Sequence, residues 1–287
     1  MLFHNITKYN RCVSKKIIKR NISRVKDTKS IQIVSNVHLS KFNSTISKYD
    51  TIELNKWFAA MIKPSSPILL LAGGIGNPFD KVYCNFIKYC SDNFSKTFVV
   101  ASYDEFCNDV WHKTDEQIEN VTSLSPNVKY LHHATHSLTH EYDIIGTTFD
   151  TRRVAQIIRE GLDFTLGEIH PDLPHRLNYV LRSNLEKLKE QVNNHQKSSK
   201  PKKLLIMSDY LPNPELSRIA LMEDNNFAEL NKSFLELGTL IKDNPNIKVW
   251  VTGYKSSENF APGLCKLMYD DNVYGSGTSR PIILNLD

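Results

Sequence analysis

Residues 67–78 read PILLLAGGIGNP, and this stretch decides the class of fold. Its apolar part, Ile68–Ala72, stands between a proline and a pair of glycines, which is typical of a short buried strand that ends in a tight turn. A strand without polar alternation belongs to a sheet that is covered on both faces. We therefore expect other layers of structure on each side of this strand.

Similar strands recur along the chain, and helical patterns separate them. Apolar runs predict six further strands, at Ile31–Ser35, Phe98–Ala101, Ile144–Thr148, Leu204–Met207, Val249–Thr252 and Ile282–Leu286. Apolar positions three and four residues apart predict helices over about residues 82–93, 177–194 and 227–241. The alternation predicts an α/β layered domain, with residues 193–203 as a polar surface connector.

Sites in α/β sheets form where loops leave the carboxyl ends of the strands. Five loops in such positions read SNVH, GGIGNP, SYDE, SDYLP and GYKS, and they occupy Ser35–His38, Gly73–Pro78, Ser102–Glu105, Ser208–Pro212 and Gly253–Ser256. The candidate site residues lie in these loops.

In order and in position after a strand, these loops resemble the motifs of calcineurin-like metallophosphoesterases, which are S-D-x-H, G-D-I-x-N, G-N-H-E, T-H-H-x-P and G-H-T-H. The resemblance covers about residues 30–287 and includes the strand around Ile145-Gly146-Thr147-Thr148. It implies a four-layer α/β/β/α sandwich after a basic segment, residues 1–29. It also implies a family chemistry in which two divalent cations activate water and clamp a phosphate.

The resemblance further implies where the metal ligands would stand, and most of those positions are substituted. The aspartate of the first loop is replaced by Asn36, its histidine is retained as His38, and the bridging carboxylate is replaced by Gly74. The other substituted positions hold Tyr103, Asp104 (at the general-acid position), Asp209, Tyr210, Tyr254 and Ser256. Because two cations repel without an anion between them, we expect no dinuclear centre and no cofactor. A catalytically inactive protein with a structural, binding or regulatory role is therefore expected.

Two other interpretations remain open. One divalent metal ion held by His38 and Asp209, with Asn36 and Asp104, would give a residual phosphoesterase. Alternatively, the crevice binds a phosphorylated ligand without cations, through backbone amides and Lys255. The three tyrosines among the substituted positions are expected to fill the emptied pocket or to line it.

Four histidines between residues 132 and 140 also invite a zinc interpretation. We interpret them instead as part of a polar loop, since no cysteine or acid stands at a characteristic spacing. These are His132, His133, His136 and His140.

The positive charge of the chain is concentrated at one end. Residues 1–29 hold nine lysines and arginines against the single acid Asp27, a charge of +8, whereas the whole chain carries +5, so the remainder carries −3. The pI of 8.8 is thus no indication of a nucleic-acid-binding face on the body. The segment suits a flexible tail, a mitochondrial presequence or a contact with an anionic surface.

The cysteine pattern and the absence of long apolar runs bear on location. The five cysteines are scattered and form no C-x-x-C pair, which favours a reducing compartment. No run of about 18 apolar residues predicts a transmembrane helix. We expect a cytoplasmic protein whose partner is another protein or further copies of itself. A mitochondrial location is the alternative, or the virion if the Asn-, Lys- and Ile-rich sequence is viral.

Overall fold

The computed structural model describes residues 29–46, 48–106, 111–148, 173–209, 228–253, 266–269 and 282–286. These ranges contain ten strands, which are β1 Ser30–Val34, β2 Ile68–Ala72, β3 Lys96–Val100, β4 Val128–Tyr130, β5 Thr135–Ser137, β6 Tyr142–Thr147, β7 Lys203–Ser208, β8 Ile247–Thr252, β9 Lys266–Tyr269 and β10 Ile282–Asn285. The longer helices are α1 Thr51–Met61, α2 Lys81–Asn93, α3 Trp111–Ser123, α4 Leu173–Gln196 and α5 Ala228–Asp243. Single helical turns span Leu39–Phe42, Asn43–Ile46 and Tyr103–Phe106.

The strands form two five-stranded sheets. The first has the order β10-β1-β2-β3-β4, in which β1 to β4 are parallel and β10 runs antiparallel to β1. The second has the order β5-β6-β7-β8-β9, with β6 to β9 parallel and β5 antiparallel to β6. Leu71 stands opposite Val99 in the first sheet, and Leu205 opposite Val249 in the second. Because the central strands are parallel, their carboxyl ends share one edge in each sheet.

The side chains of β2 alternate between two hydrophobic cores. Leu69 and Leu71 pack in a cluster with Phe58 of α1 and Phe86 of α2. Leu70 belongs to a second cluster, which also contains Leu205, Met207, Val249 and Val251 of the other sheet. Successive residues of a strand point to opposite faces, so the second core lies between the two sheets.

Helices cover the far face of the second sheet as well. There α4 contacts both β6 and α5. These two helices bury a set of aliphatic side chains, Leu185, Leu188, Val192, Leu237, Leu240 and Ile241. The layers are therefore helix, sheet, sheet and helix, and the predicted four-layer α/β/β/α sandwich is confirmed.

All seven predicted strands are present, with ends that differ by one or two residues. The predicted helices correspond to α2, α4 and α5, and the polar connector is shorter than predicted because α4 continues to Gln196. Two helices and three short strands were missed, namely α1, α3, β4, β5 and β9.

The start of α1 carries a signal that was overlooked. Asp50 accepts from the amides of Ile52 and Glu53 at 2.8 Å each, and its own amide donates to the Glu53 carboxylate at 3.1 Å.

The described residues bear on two predictions, one about membrane-spanning helices and one about the basic segment. None of the described helices is long and apolar enough to cross a membrane. Of the predicted basic segment, only Lys29 lies within the described residues.

Candidate functional site

The loops after β1 and β2 continue the pairing of those strands beyond their ends. The amide of Asn36 donates to the carbonyl of Gly73 at 3.1 Å, and that of His38 to the carbonyl of Gly74 at 2.8 Å. Asn36 and His38 have positive φ values of 53° and 50°. This left-handed conformation costs about 1–2 kcal/mol for most L-residues and less for asparagine, so contacts with the second loop must hold His38 in place.

The side chain of Asn36 connects the first sheet to the second. Its Nδ2 donates to the carbonyl oxygen of Gly253, just after β8, at 2.7 Å, and to Oγ of Ser35 at 3.0 Å. Oγ of Ser35 donates to the same Gly253 carbonyl at 2.8 Å. The residue at a ligand position of the family therefore serves here as a hydrogen-bond donor between two loops.

Gly74 stands where the resemblance places the bridging carboxylate, and Asn36 fills the space beside it. A Cβ atom on Gly74 would lie 3.0 Å from Cα, 3.1 Å from the amide nitrogen and 3.1 Å from Oδ1 of Asn36. Ordinary carbon contacts need about 3.5–4.0 Å. The φ of Gly74 is also 69°, which disfavours any side chain. A carboxylate at this position therefore requires the first loop to move.

Asp209 lies in the same place, between the two sheets. It is only 2% exposed, and its Cβ lies 2.9 Å from the point that a Cβ on Gly73 would occupy. Its carbonyl accepts a hydrogen bond from Oγ1 of Thr252 at 3.3 Å. A Cβ on Gly253 would lie 1.8 Å from the carbonyl oxygen of Ala72, so β2 and β8 approach each other at their carboxyl ends more closely than side chains allow.

The carboxylate of Glu105 lies inside the second loop. Oε1 accepts from the amides of Ile75 at 2.5 Å and Gly76 at 3.1 Å. Oε2 accepts from the amide of Ser102 at 2.7 Å, from its hydroxyl at 2.8 Å and from the amide of Gly74 at 3.3 Å. Backbone amides that converge in this way form an anion-binding nest, and here the anion is the protein's own carboxylate. No role for Glu105 was predicted from the sequence.

The structure brings together four of the nine residues singled out at the motif positions, namely Asn36, His38, Gly74 and Asp209. The backbone of Tyr103 and Asp104 begins a helical turn directly after Ser102, but their side chains lie outside the described part of the chain. The other three residues lie outside the described ranges altogether, as does Lys255, and these three are Tyr210, Tyr254 and Ser256.

The residues present do not fit a dinuclear metal centre. Within the described ranges, no group of three or more His, Cys, Asp and Glu side chains is placed to hold a metal ion. Gly74 offers no donor atom, and the amide of Asn36 is directed to the Gly253 carbonyl. The single-metal set stays a prediction, because it includes the side chain of Asp104.

The four histidines between residues 132 and 140 do not converge on one point. Nδ1 of His132 lies 3.4 Å from Oδ1 of Asp115, whereas Nε2 of His140 lies 3.1 Å from Oε1 of Glu141 at the start of β6. These pairs involve different elements. The interpretation of the whole segment as a polar loop was wrong at His136, which lies in β5 because Thr135–Ser137 pair with β6.

No family model and no curated protein matches the chain. Solved structures resemble it over most of its length. Phosphopantetheinyl hydrolase from Mycobacterium tuberculosis is 12% identical with a TM-score of 0.46, covering 78% of this chain and 82% of that one. A dimetal phosphatase from Danio rerio is 10% identical with a TM-score of 0.48, covering 85% and 87%. The protein TT1561 of Thermus thermophilus is 13% identical with a TM-score of 0.42, covering 79% and 82%. At such identities a likeness concerns the fold and not the activity.

Proposed function

We propose that this chain is a metallophosphoesterase-fold protein without phosphoesterase activity, and that it serves as a binding, structural or regulatory component. The contact between Gly74 and Asn36 carries the proposal. A bridging carboxylate needs a side chain at position 74 and space in front of it, and this chain offers neither. Two cations without that anion repel each other, so the paired-metal activation of water is not available.

The hydrogen bonds at the site support the same proposal. Ser35 and Asn36 direct donors to the Gly253 carbonyl, and Glu105 accepts from backbone amides of the second loop. These polar groups hold neighbouring loops together, and in that position they stabilise the junction of the two sheets. Polar groups that serve as links between loops suit a protein that acts through its surface.

Metal analysis of the purified full-length protein tests the proposal. We expect manganese, iron and zinc to be present at far less than one ion per chain. The variants His38→Ala and Asp209→Asn serve as controls, since His38 and Asp209 are the two principal ligands of the single-metal interpretation. Metal bound at one ion per chain and lost in both variants would replace this proposal with that of a single-metal phosphoesterase.

An activity assay gives an independent test. With bis(p-nitrophenyl) phosphate and Mn²⁺, we expect no turnover above that of a buffer blank. Turnover that His38→Ala abolishes would contradict the proposal. A thermal-shift screen against nucleotides completes the comparison, because a rise in Tm without turnover would identify a module that binds phosphorylated ligands.

We also propose that the protein works in a reducing compartment, the cytoplasm, with a protein partner or further copies of itself. Cys84 and Cys90 are both free thiols, and burial raises the pKa of each. Cell fractionation tests the location. Size-exclusion chromatography with light scattering tests self-association.

A further inference from the structure

A cavity of about 480 Å³ lies between the C-terminal halves of α4 and α5, on the outer side of the second sheet. Small-molecule sites in proteins enclose about 300–1,000 Å³, so the cavity has the size of such a site. It lies at the opposite end of the sheet from the candidate site, because α4 and α5 end shortly before β7 and β8 begin. The residues that line it include Lys189, Asn193, Glu236, Leu240, Asp243 and Asn244.

The positive charge in the wall of the cavity is already neutralised. Nζ of Lys189 on α4 forms an ion pair with Oε2 of Glu236 on α5, and it lies 3.1 Å from Oε1 of Glu186. Two carboxylates therefore act on one ammonium group, and the pair with Glu236 joins the two helices. Lys189 thus has a structural role and offers no free charge to an anionic ligand.

Asp243 contributes a further carboxylate to the cavity. It is exposed, and in the part of the chain that the structure describes no lysine, arginine or histidine forms an ion pair with it. The neighbouring Lys242 does not line the cavity. Because α5 ends at Asp243, the negative pole of the helix dipole adds to the potential of this carboxylate. This end of the cavity therefore favours a positively charged group.

The side chain of Asn244, directly after α5, is incompletely hydrogen-bonded. Asn244 lines the cavity and is only 5% exposed, and its Nδ2 donates to the carbonyl of Leu240 at 2.6 Å. Oδ1 of the same amide has no hydrogen-bond partner among the described residues. Buried acceptors are nearly always paired with protein, with water or with a ligand. Asn244 therefore calls for a donor that the described residues do not supply.

We propose that the cavity binds an organic polyamine, in which short hydrocarbon chains connect protonated amino groups. An ammonium group would donate to the carboxylate of Asp243 and to Oδ1 of Asn244, and the side chain of Leu240 offers an apolar surface to the hydrocarbon. A metal ion fits this cavity less well, since no three His, Cys, Asp and Glu side chains of the described ranges are placed to hold one.

Isothermal titration calorimetry of the full-length protein with spermidine tests this proposal. We expect one spermidine ion to bind per chain, with an affinity that falls as salt is added because Asp243 is exposed. Hexane-1,6-diol has a hydrocarbon chain but no charge, and it should not bind. Absence of spermidine binding at low salt overturns the proposal, and so does binding of a tetralysine peptide without binding of spermidine.

Asp243→Asn removes the unpaired charge of the cavity with little change in shape. We expect spermidine to bind this variant on the order of tenfold more weakly, because a charge-assisted hydrogen bond is lost. Glu116→Gln is the matched control, since it removes the same charge from an exposed position on α3. Its affinity for spermidine should equal that of the wild type. Equal weakening in the two variants would mean that only net charge matters, which overturns the cavity as the binding site.

A second pair of variants tests the location without removing an acceptor. Asn193→Lys places an ammonium group at the cavity, whereas Asn194→Lys places one on the next residue of α4, which does not line the cavity. Both positions are exposed, so both variants should fold, and urea midpoints equal to that of the wild type check this. We expect Asn193→Lys to bind spermidine on the order of tenfold more weakly than Asn194→Lys, because the tethered ammonium group competes for the same acceptors. Equal affinities of these two variants would contradict the proposed site.

Discussion

Nδ2 of Asn36 lies 2.7 Å from the carbonyl oxygen of Gly253, so the side chain at a ligand position of the phosphoesterase motif joins the carboxyl ends of β1 and β8. The two strands belong to different sheets. This hydrogen bond, and the one from Ser35 to the same carbonyl, stabilise the junction of the sheets at the place where the family holds its metals.

The substitution Asn36→Asp, which places here the residue that the metallophosphoesterase motif carries, is expected to lower the free energy of unfolding by about 2 kcal/mol. An aspartate would put a carboxylate oxygen against the Gly253 carbonyl in place of a donor. The loss of stability should be smaller in acid, where a protonated carboxyl group can donate a hydrogen bond to the Gly253 carbonyl. Urea denaturation measures the effect, with the exposed Asn55→Asp in α1 as control. A variant as stable as the wild type would contradict the role assigned to the amide.

Substitution of Gly74 should destabilise the protein and should not create a metal site. We expect Gly74→Ala to lower the free energy of unfolding by about 1–3 kcal/mol, because the φ of Gly74 is 69° and Cα of Asn36 lies 3.0 Å from the position of the new Cβ. Gly74→Asp should lower it by at least as much. Gly238→Ala is the matched control. Among the described residues, no atom outside its chain neighbours and the backbone of its own helix lies within 4 Å of the position of its Cβ, so a gain of about 0.5–1 kcal/mol is expected in the interior of α5. Stoichiometric metal in a stable Gly74→Asp variant would be the contrary result.

Glu105→Gln is expected to lower the free energy of unfolding by about 3 kcal/mol. The carboxylate accepts bonds from amides on both its oxygens, the shortest from Ile75 at 2.5 Å. A glutamine would turn an NH₂ group toward some of these donors. The exposed Glu116→Gln in α3 should change stability by less than about 0.5 kcal/mol. Guanidinium denaturation compares the stability of the two variants. Equal denaturation midpoints would contradict the stabilising role of Glu105 in the nest.

His133 is expected to make the protein less stable in acid. Burial, and then the charges of His132 and Lys187, lower its pKa to about 3. Because the pKa is lower in the folded state than the ordinary value of about 6.5, protonation favours unfolding. The stabilising contribution is full above pH 6.5 and is lost as the pH falls toward 3.

Urea midpoints between neutral pH and about pH 4.5 test this expectation against His133→Asn. Asparagine tolerates the positive φ of 55° at this position but does not titrate. The variant should take up roughly one proton fewer on unfolding. An identical dependence in His133→Asn and the wild type would contradict the assignment.

The sequence predicted the central strands well, because a strand that is buried on both faces is apolar throughout. Ile68–Ala72 shows this most clearly. Short edge strands such as β4 and β5 were missed, since three residues leave no pattern to detect. The capping box of Asp50 and Glu53 was present in the sequence and would have marked the start of α1.

The candidate site was only partly predictable. The position of Asn36, His38, Gly74 and Asp209 after parallel strands followed from the rule that carboxyl ends share one edge. The role of Glu105 did not follow from this rule, because the amides of the second loop that it binds lie about 30 residues earlier in the chain.

What the sequence determined by itself is the layered α/β fold and the kind of side chain at each candidate position, because burial and side-chain chemistry act residue by residue. Only the tertiary structure decided what those side chains contact. The contact of Asn36 with Gly74, its bond to Gly253 and the nest around Glu105 join loops from different strands, and such contacts exist only once the two sheets have packed together.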